Sequence, residues 1–210
     1  MITLSDIKAL NIEATSRCTA RCPFCSRQQK VHDYGAHRIS FSDIQKLPKE
    51  LMRGLRRITF AGNFGDLSCN PEMIDIVSYI KGLNKKIVLG GETNAATQKP
   101  AWWHALGKHY RDGMMIFALD GLSDTHALHR VGTDFDTVIG NIRAFTASGG
   151  RATWKFIVFE HNEHQIKSAE KLAEASGCHQ FIVVSSRDYN DTLRKPKTLD
   201  IEIKRDLFSL

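Results

Sequence analysis

No apolar run in this sequence approaches the roughly 20 residues that a membrane-spanning helix requires. The opening stretch, MITLSDIKALNIEA, lacks a basic segment followed by an apolar one, so no secretory signal is expected. Cysteine is scarce and odd in number: five residues, three of them within positions 18–25. That pattern does not suit a secreted disulfide framework, and a reducing, cytoplasmic setting is expected. Dense lysine or arginine blocks are missing despite a net charge of +6. The surface therefore reads as mildly basic and solvated, compatible with an anionic substrate. Aromatic residues nowhere interleave with basic ones as a nucleic-acid platform needs, so a nucleic-acid partner is not expected. Linkers, low-complexity tracts and internal repeats are also lacking. The 210 residues point to one domain, 1–210, with a sizeable core and with 187–210 as a C-terminal tail or last helix.

What is present is an alternation of short apolar runs and longer amphipathic ones. Strands are expected at 9–14, 56–62, 85–91, 114–121, 153–160 and 180–186. The run MMIFALDG (114–121) is nearly all apolar, as a strand covered on both faces would be. Helices are expected at 39–52, 70–83, 100–110, 134–150 and 162–177. Ser42 with Gln45, Asn70 before Pro71, and Asn162 with Gln165 match helix-start patterns. Apolar faces are supplied by Ile44, Leu51 and Met52, by Met73, Ile76, Val77 and Ile80, and by Val138, Ile139, Ile142 and Phe145. Trp102 and Trp103 read as core, and Cys178 as buried. Repeated βα units make a parallel sheet with right-handed crossovers, either an open doubly wound sheet or an incomplete barrel. In both, the functional loops leave the C-terminal ends of the strands. The loops that follow these strands do carry the polar and glycine-rich residues.

The loop RCTARCPFCSR (17–27) follows the first strand and spaces its cysteines as C-x3-C-x2-C. Thiolates bind soft metals. A structural zinc site normally has four protein ligands, so Cys22 and Cys25 would need Cys18 and a histidine, His32 or His37, beside them. A cubane iron–sulfur cluster usually takes four cysteines, so three would leave one iron open for another ligand. Burial of three small hydrophobes is the plain alternative. Arg17, Arg21, Arg27 and Lys30 stand nearby to soften the charge of a thiolate-ligated cluster.

Cys18-x3-Cys22-x-Phe24-Cys25 after the first strand of a βα repeat resembles the signature of the radical S-adenosylmethionine (SAM) enzymes, and the resemblance covers nearly the whole chain. It implies an α/β fold, an incomplete (β/α)6 barrel, with a 4Fe–4S cluster on Cys18, Cys22 and Cys25. The amino and carboxylate groups of SAM would chelate the open iron, with Phe24 by the adenine. It further implies that the reduced cluster cleaves SAM to a deoxyadenosyl radical, which abstracts hydrogen from substrate, and that a small electron donor such as flavodoxin or ferredoxin supplies the electron. Where the family usually shows Gly-Gly-Glu-Pro, this chain has Ala61-Gly62-Asn63-Phe64-Gly65-Asp66. Gly62 and Asn63 are the candidates for the SAM amino group, with Asp66 near. Gly90-Gly91-Glu92 spells the motif one strand later, where Glu92 and Asn94 are expected to face the cavity.

The stretch Asp120-Gly121, His126, Arg130 and Gly132 resembles the SPASM and Twitch branch, which suggests a peptide substrate. By that resemblance Asp120 lies near SAM or substrate, Arg130 pairs with the SAM carboxylate, and Lys155 and Asn162 lie near the ribose. The branch's C-terminal cysteines are lacking, so one cluster is expected. A zinc-stabilised nucleic-acid-binding module and a catalytically silent relative are the competing readings.

Overall fold

A computed structural model describes residues 3–28 and 35–198. The expected last helix, His32 and Lys30 fall outside the described residues. Six strands form one parallel sheet in sequential order. They are β1 (Ala9–Glu13), β2 (Arg57–Ala61), β3 (Val88–Thr93), β4 (Met114–Ala118), β5 (Ala152–Val158) and β6 (Gln180–Ser185). The helices are α1 (Phe41–Lys46), α2 (Lys49–Gly54), α3 (Met73–Leu83), α4 (Pro100–Gly107), α5 (His126–His129), α6 (Phe135–Ala147) and α7 (Ile166–Ala175). Residues 187–198 carry no helix or strand.

The sequential strand order decides between the two expected architectures. Right-handed crossovers that all step the same way place every helix on one face of the sheet. The sheet then curls with its helices outside, as a partial barrel, and a doubly wound arrangement is excluded. Strand alternation agrees. Ile58, Phe60, Leu89, Met115, Phe117, Trp154 and Phe156 point outward and form one buried core with Val77, Ile80, Trp103, Ile142 and Phe145 of the helices. Trp103 packs on Phe117 and Phe145, with ring centroids at 5.6 and 6.5 Å. The alternate residues Glu13, Thr59, Glu92, Thr153 and Lys155 share the opposite, concave face with Ile116 and Ala118 of β4, so that face mixes polar and apolar side chains. Cys178 is half-buried against the core.

Local details depart from the sequence reading. The expected helix over 39–52 is two helices, because Leu47 before Pro48 turns extended (φ −64°, ψ 139°). Its capping box is Ser40 with Asp43, not Ser42 with Gln45: Ser40 Oγ accepts from Asp43 N, and Asp43 Oδ2 accepts from Ser40 N. Asn70 is not a helix cap. It is fully buried and donates through Nδ2 to the carbonyls of Ala14 and Ile39, at 3.0 and 2.8 Å, pinning the chain after β1. Asn162 is likewise buried. Its Nδ2 donates to Asp120 O and Ile157 O, and its Oδ1 accepts from Phe159 N at 2.7 Å. Asn70 Oδ1 accepts from Glu72 N at 3.0 Å, one residue before α3, while Asn162 Oδ1 is already taken by Phe159 N and caps nothing.

Two loops at the C-terminal mouth need their glycines. A Cβ on Gly65 would lie 1.9 Å from Thr15 O and 2.8 Å from Arg17 O, so the β2 loop touches the cysteine loop through bare backbone. Gly121 after β4 has φ +132°, and a Cβ there would meet Thr125 Oγ1 at 2.1 Å. The same loop is braced by His126. Its Nδ1 accepts from Asp120 N at 3.4 Å, and its Nε2 pairs with Thr133 Oγ1 at 2.8 Å. Thr133 Oγ1 itself donates to Arg130 O, so Nε2 carries the ring proton. Burial lowers the His126 pKa to about 4, well under its ordinary 6.5.

Two outcomes follow from these contacts. Gly65→Ala lowers unfolding stability by about 1–3 kcal/mol, the cost of overpacking, read from urea midpoints. The neutral His126 gives stability that is complete above pH 6.5 and is lost as pH falls toward 4, on the order of 2–3 kcal/mol. His126→Gln makes the dependence of the urea midpoint on pH shallower in that window; an unaltered slope contradicts the assignment.

Candidate metal and cofactor site

The cysteine loop leaves β1 at the C-terminal mouth of the barrel and is tethered on three sides. Ser16 N donates to His37 O at 2.9 Å, Asp66 N to Arg17 O at 2.7 Å, and Arg21 N to Val131 O at 2.8 Å. Within the loop, Cys25 N closes a turn on Cys22 O at 3.0 Å. Cys22 is buried, and Cys18 and Cys25 are half-buried. Burial, with the charge of Asp66 beside it, pushes the Cys18 thiol up to about 12. Burial also raises Cys22, against the pull of Arg130. As free thiols these groups stay protonated at neutral pH, and a bound metal takes the place of that proton.

Two nitrogen donors face the sulfurs. Asn94 Nδ2 lies 3.2 Å from Cys18 Sγ, and Arg130 Nη1 lies 3.7 Å from Cys22 Sγ. Donors aimed at sulfur suit thiolate ligands. Among the described residues no three Cys, His, Asp or Glu side chains gather closely enough for a single ion. A cubane draws each thiolate to a different iron and does not require that crowding. Three thiols, two of them facing nitrogen donors, fit the ligand set of a 4Fe–4S cluster.

A buried carboxylate stands behind each donor. Asp66, 3% exposed, accepts through Oδ2 from Asn94 N at 2.6 Å, and through Oδ1 from Ser68 N, Ser68 Oγ and Thr93 Oγ1. Asp120 has no exposed surface. Its Oδ1 accepts from Ile157 N at 2.7 Å, and its Oδ2 from His129 Nδ1 at 2.7 Å and Arg130 Nε at 2.5 Å. Burial alone would raise the Asp120 pKa, but Arg130 and His129 hold it well below the usual carboxylate range. Asp66, Asp120 and Asn162, expected from sequence at the cofactor, have their side-chain oxygens committed to protein partners. These contacts hold the loops at the mouth in place. Arg130, expected at the SAM carboxylate, pairs with Asp120 and reaches Cys22, and Asn94, expected to face the cavity, reaches Cys18.

The remaining candidates surround the mouth. Phe24 is half-exposed, its ring 6.4 Å from His129, which in turn lies 4.9 Å from Phe159. Gly62 and Asn63 are exposed. Asn63 Nδ2 donates to Glu13 Oε1 at 2.8 Å, and Phe64 N to Glu13 Oε2 at 3.3 Å. On the concave face Lys155 forms an ion pair with Glu92. Burial, with Arg187 nearby, lowers the Lys155 pKa to about 8. Sequence reasoning missed Glu13 and His129 as parts of the site. Glu13 is the lone acidic residue of β1 and lies directly before the loop, which is the signal that was available.

The chain matches the Radical SAM superfamily over residues 12–175. Comparison with curated proteins finds no match. Among solved structures it resembles Streptococcus suis SuiB bound to S-adenosylmethionine, at 16% identity and a TM-score of 0.66, over 91% of this chain and 44% of SuiB. It resembles anSMEcpe with bound AdoMet at 18% identity and a TM-score of 0.66, over 88% of this chain and 53% of that one. Methylornithine synthase (PylB) is similar at 12% identity and a TM-score of 0.60, over 85% of this chain and 53% of that one. The chain thus spans about half the length of these proteins. The match over residues 12–175 and the partial barrel that carries the cysteine loop lead to one assignment: the chain belongs to the radical SAM superfamily, iron–sulfur enzymes that use a 4Fe–4S cluster and SAM.

Proposed function

We propose that this chain is the catalytic core of a radical SAM enzyme, with Cys18, Cys22 and Cys25 as cluster ligands and a peptide side chain as substrate. The observation that carries it is the pair of nitrogen donors on Cys18 and Cys22, in a C-x3-C-x2-C loop at the mouth of the barrel. When bound, the cluster and SAM supply one electron and a deoxyadenosyl radical that takes a hydrogen atom from the substrate. The chain's own part is to bind, orient and exclude water. Phe24 offers a face for the adenine. Gly62 and the Asn63 backbone lie beside Glu13, whose carboxylate suits an ammonium. Lys155 and Glu92 set a polar floor on the concave face.

A peptide substrate is supported on two counts. SuiB has been solved bound to its precursor peptide SuiA, and anSMEcpe with the Cp18Cys peptide. Among the described residues β1 and β6 do not pair, so the barrel is open along one side and an extended chain has a way in. The exposed Arg17 and Arg21 on the cysteine loop suit docking of an acidic electron donor, flavodoxin or ferredoxin. Among the described residues no helix is long and apolar enough to cross a membrane, and a cytoplasmic location accords with the reducing chemistry.

Anaerobic reconstitution yields a brown protein with a 4Fe–4S complement of iron and sulfide, and Cys18→Ala, Cys22→Ala or Cys25→Ala each abolishes it, read by absorbance and iron analysis. A colourless protein holding stoichiometric zinc overturns the proposal. Given reductant, SAM is cleaved to deoxyadenosine, and deuterium passes from a deuterated peptide into it, read by mass spectrometry. A full cluster with no cleavage under any reductant identifies a silent relative instead.

A further inference from the structure

We propose that Asn94 and Arg130 set the reduction potential of the cluster, by donating hydrogen bonds to the Cys18 and Cys22 thiolates. The inference rests on the cluster assignment above and goes beyond it. It gives these two residues an electronic role in place of contact with SAM.

The two donors arrive from different strand ends, Asn94 after β3 and Arg130 after α5, yet they are built alike. Asn94 is 6% exposed. Its backbone N–H is fixed on Asp66 Oδ2 at 2.6 Å, and its Oδ1 accepts from Ala96 N at 2.9 Å. With the oxygen committed to that turn, the amide orientation follows, and Nδ2 is left to point at Cys18 Sγ, 3.2 Å away. Arg130 is 13% exposed, with Nε fixed on Asp120 Oδ2 at 2.5 Å. The planar guanidinium then carries Nη1 to Cys22 Sγ at 3.7 Å. Each donor is thus backed by a carboxylate that is itself buried and saturated. Among the described residues no side chain donates to Cys25.

One-electron reduction adds negative charge to a cluster whose charge is spread over its sulfurs. A nitrogen donor on a ligating sulfur stabilises the reduced form more than the oxidised one and so raises the potential. Burial strengthens the effect, because the local dielectric is low. Arg130 makes its bond charge-assisted, with Asp120 behind it compensating the guanidinium. A structural role alone would demand only that the loop be held, and the backbone bonds from Asp66 and Arg21 already do that.

The test is an anaerobic redox titration of the reconstituted protein without SAM, followed by electron paramagnetic resonance, on wild type, Asn94→Ala, Arg130→Gln and Arg130→Lys. At a given solution potential the reduced-to-oxidised ratio falls about tenfold in Asn94→Ala and in Arg130→Gln, ~59 mV for a one-electron couple. Arg130→Lys, which keeps the charge, falls less. A purely structural role would instead lower cluster content and leave the ratio unchanged in the clusters that form. An unchanged ratio in both single variants overturns the proposal. If those variants take up no cluster, the wild type decides. Pulsed resonance of the reduced protein carrying guanidino-15N arginine shows a nitrogen coupling, and its absence refutes the Arg130 contact. Failure of the wild type itself to assemble a cluster overturns the underlying assignment instead.

Discussion

A carboxylate with no exposed surface organises this mouth: Asp120, at the end of β4. An unpaired buried charge is among the costliest features a fold can hold, and removing one partner of such a pair typically costs about 3–5 kcal/mol. Asp120 is therefore tolerable only while Ile157 N–H, His129 and Arg130 all stand where they do. That requirement locks the end of β4 to β5, fixes α5 in place, and passes through Arg130 to the cysteine loop. Asp66 does the same between β2 and β3, and passes through Asn94 to Cys18. Two carboxylates thus decide where the thiols' neighbours lie.

The sheet divides its two faces by chemistry. Outward residues such as Phe60, Phe117 and Trp154 supply the apolar area that stabilises the fold against the helices. The inward residues at the same level, Thr59, Glu92 and Lys155, are polar, and the longest of them pair with each other. The Glu92–Lys155 pair keeps an ammonium and a carboxylate together on that floor without leaving either charge uncompensated.

Much of this was legible in the sequence, and the limits have physical causes. The βα alternation could be read because strand and helix impose periods of two and 3.6 on the apolar residues, and C-x3-C-x2-C marked the loop. The alternation alone left barrel and doubly wound sheet open, because strand order is a long-range property; the resemblance carried by the cysteine loop implied the barrel, and the sequential order agrees. Asn70 and Asn162 both satisfy the local pattern of a helix cap, yet each also bonds carbonyls remote in sequence, Ala14 and Ile39 for Asn70 and Asp120 for Asn162. Ser40 rather than Ser42 starts α1, where either serine fits the pattern. Asn94 and Arg130 were legible as site residues, but their contacts with the cysteine sulfurs were not. Their sulfur acceptors lie 76 and 108 residues earlier in the chain, and spacing on that scale says nothing of which atom meets which. Glu13 passed unnoticed because one acidic residue in a short strand is ordinary until the loop it braces is seen.

The bare backbone at Gly65 bears on where the cysteine loop can sit. The carbonyls of Thr15 and Arg17 rest directly on that glycine, and Asp66 N–H holds Arg17 from the next position. The seat of the cysteine loop is thus made of protein against protein, backbone on backbone. A side chain at position 65 would push directly on the carbonyls that carry the chain into the cysteines, so the distance between the β2 loop and the cysteine loop is set by the smallest residue there is.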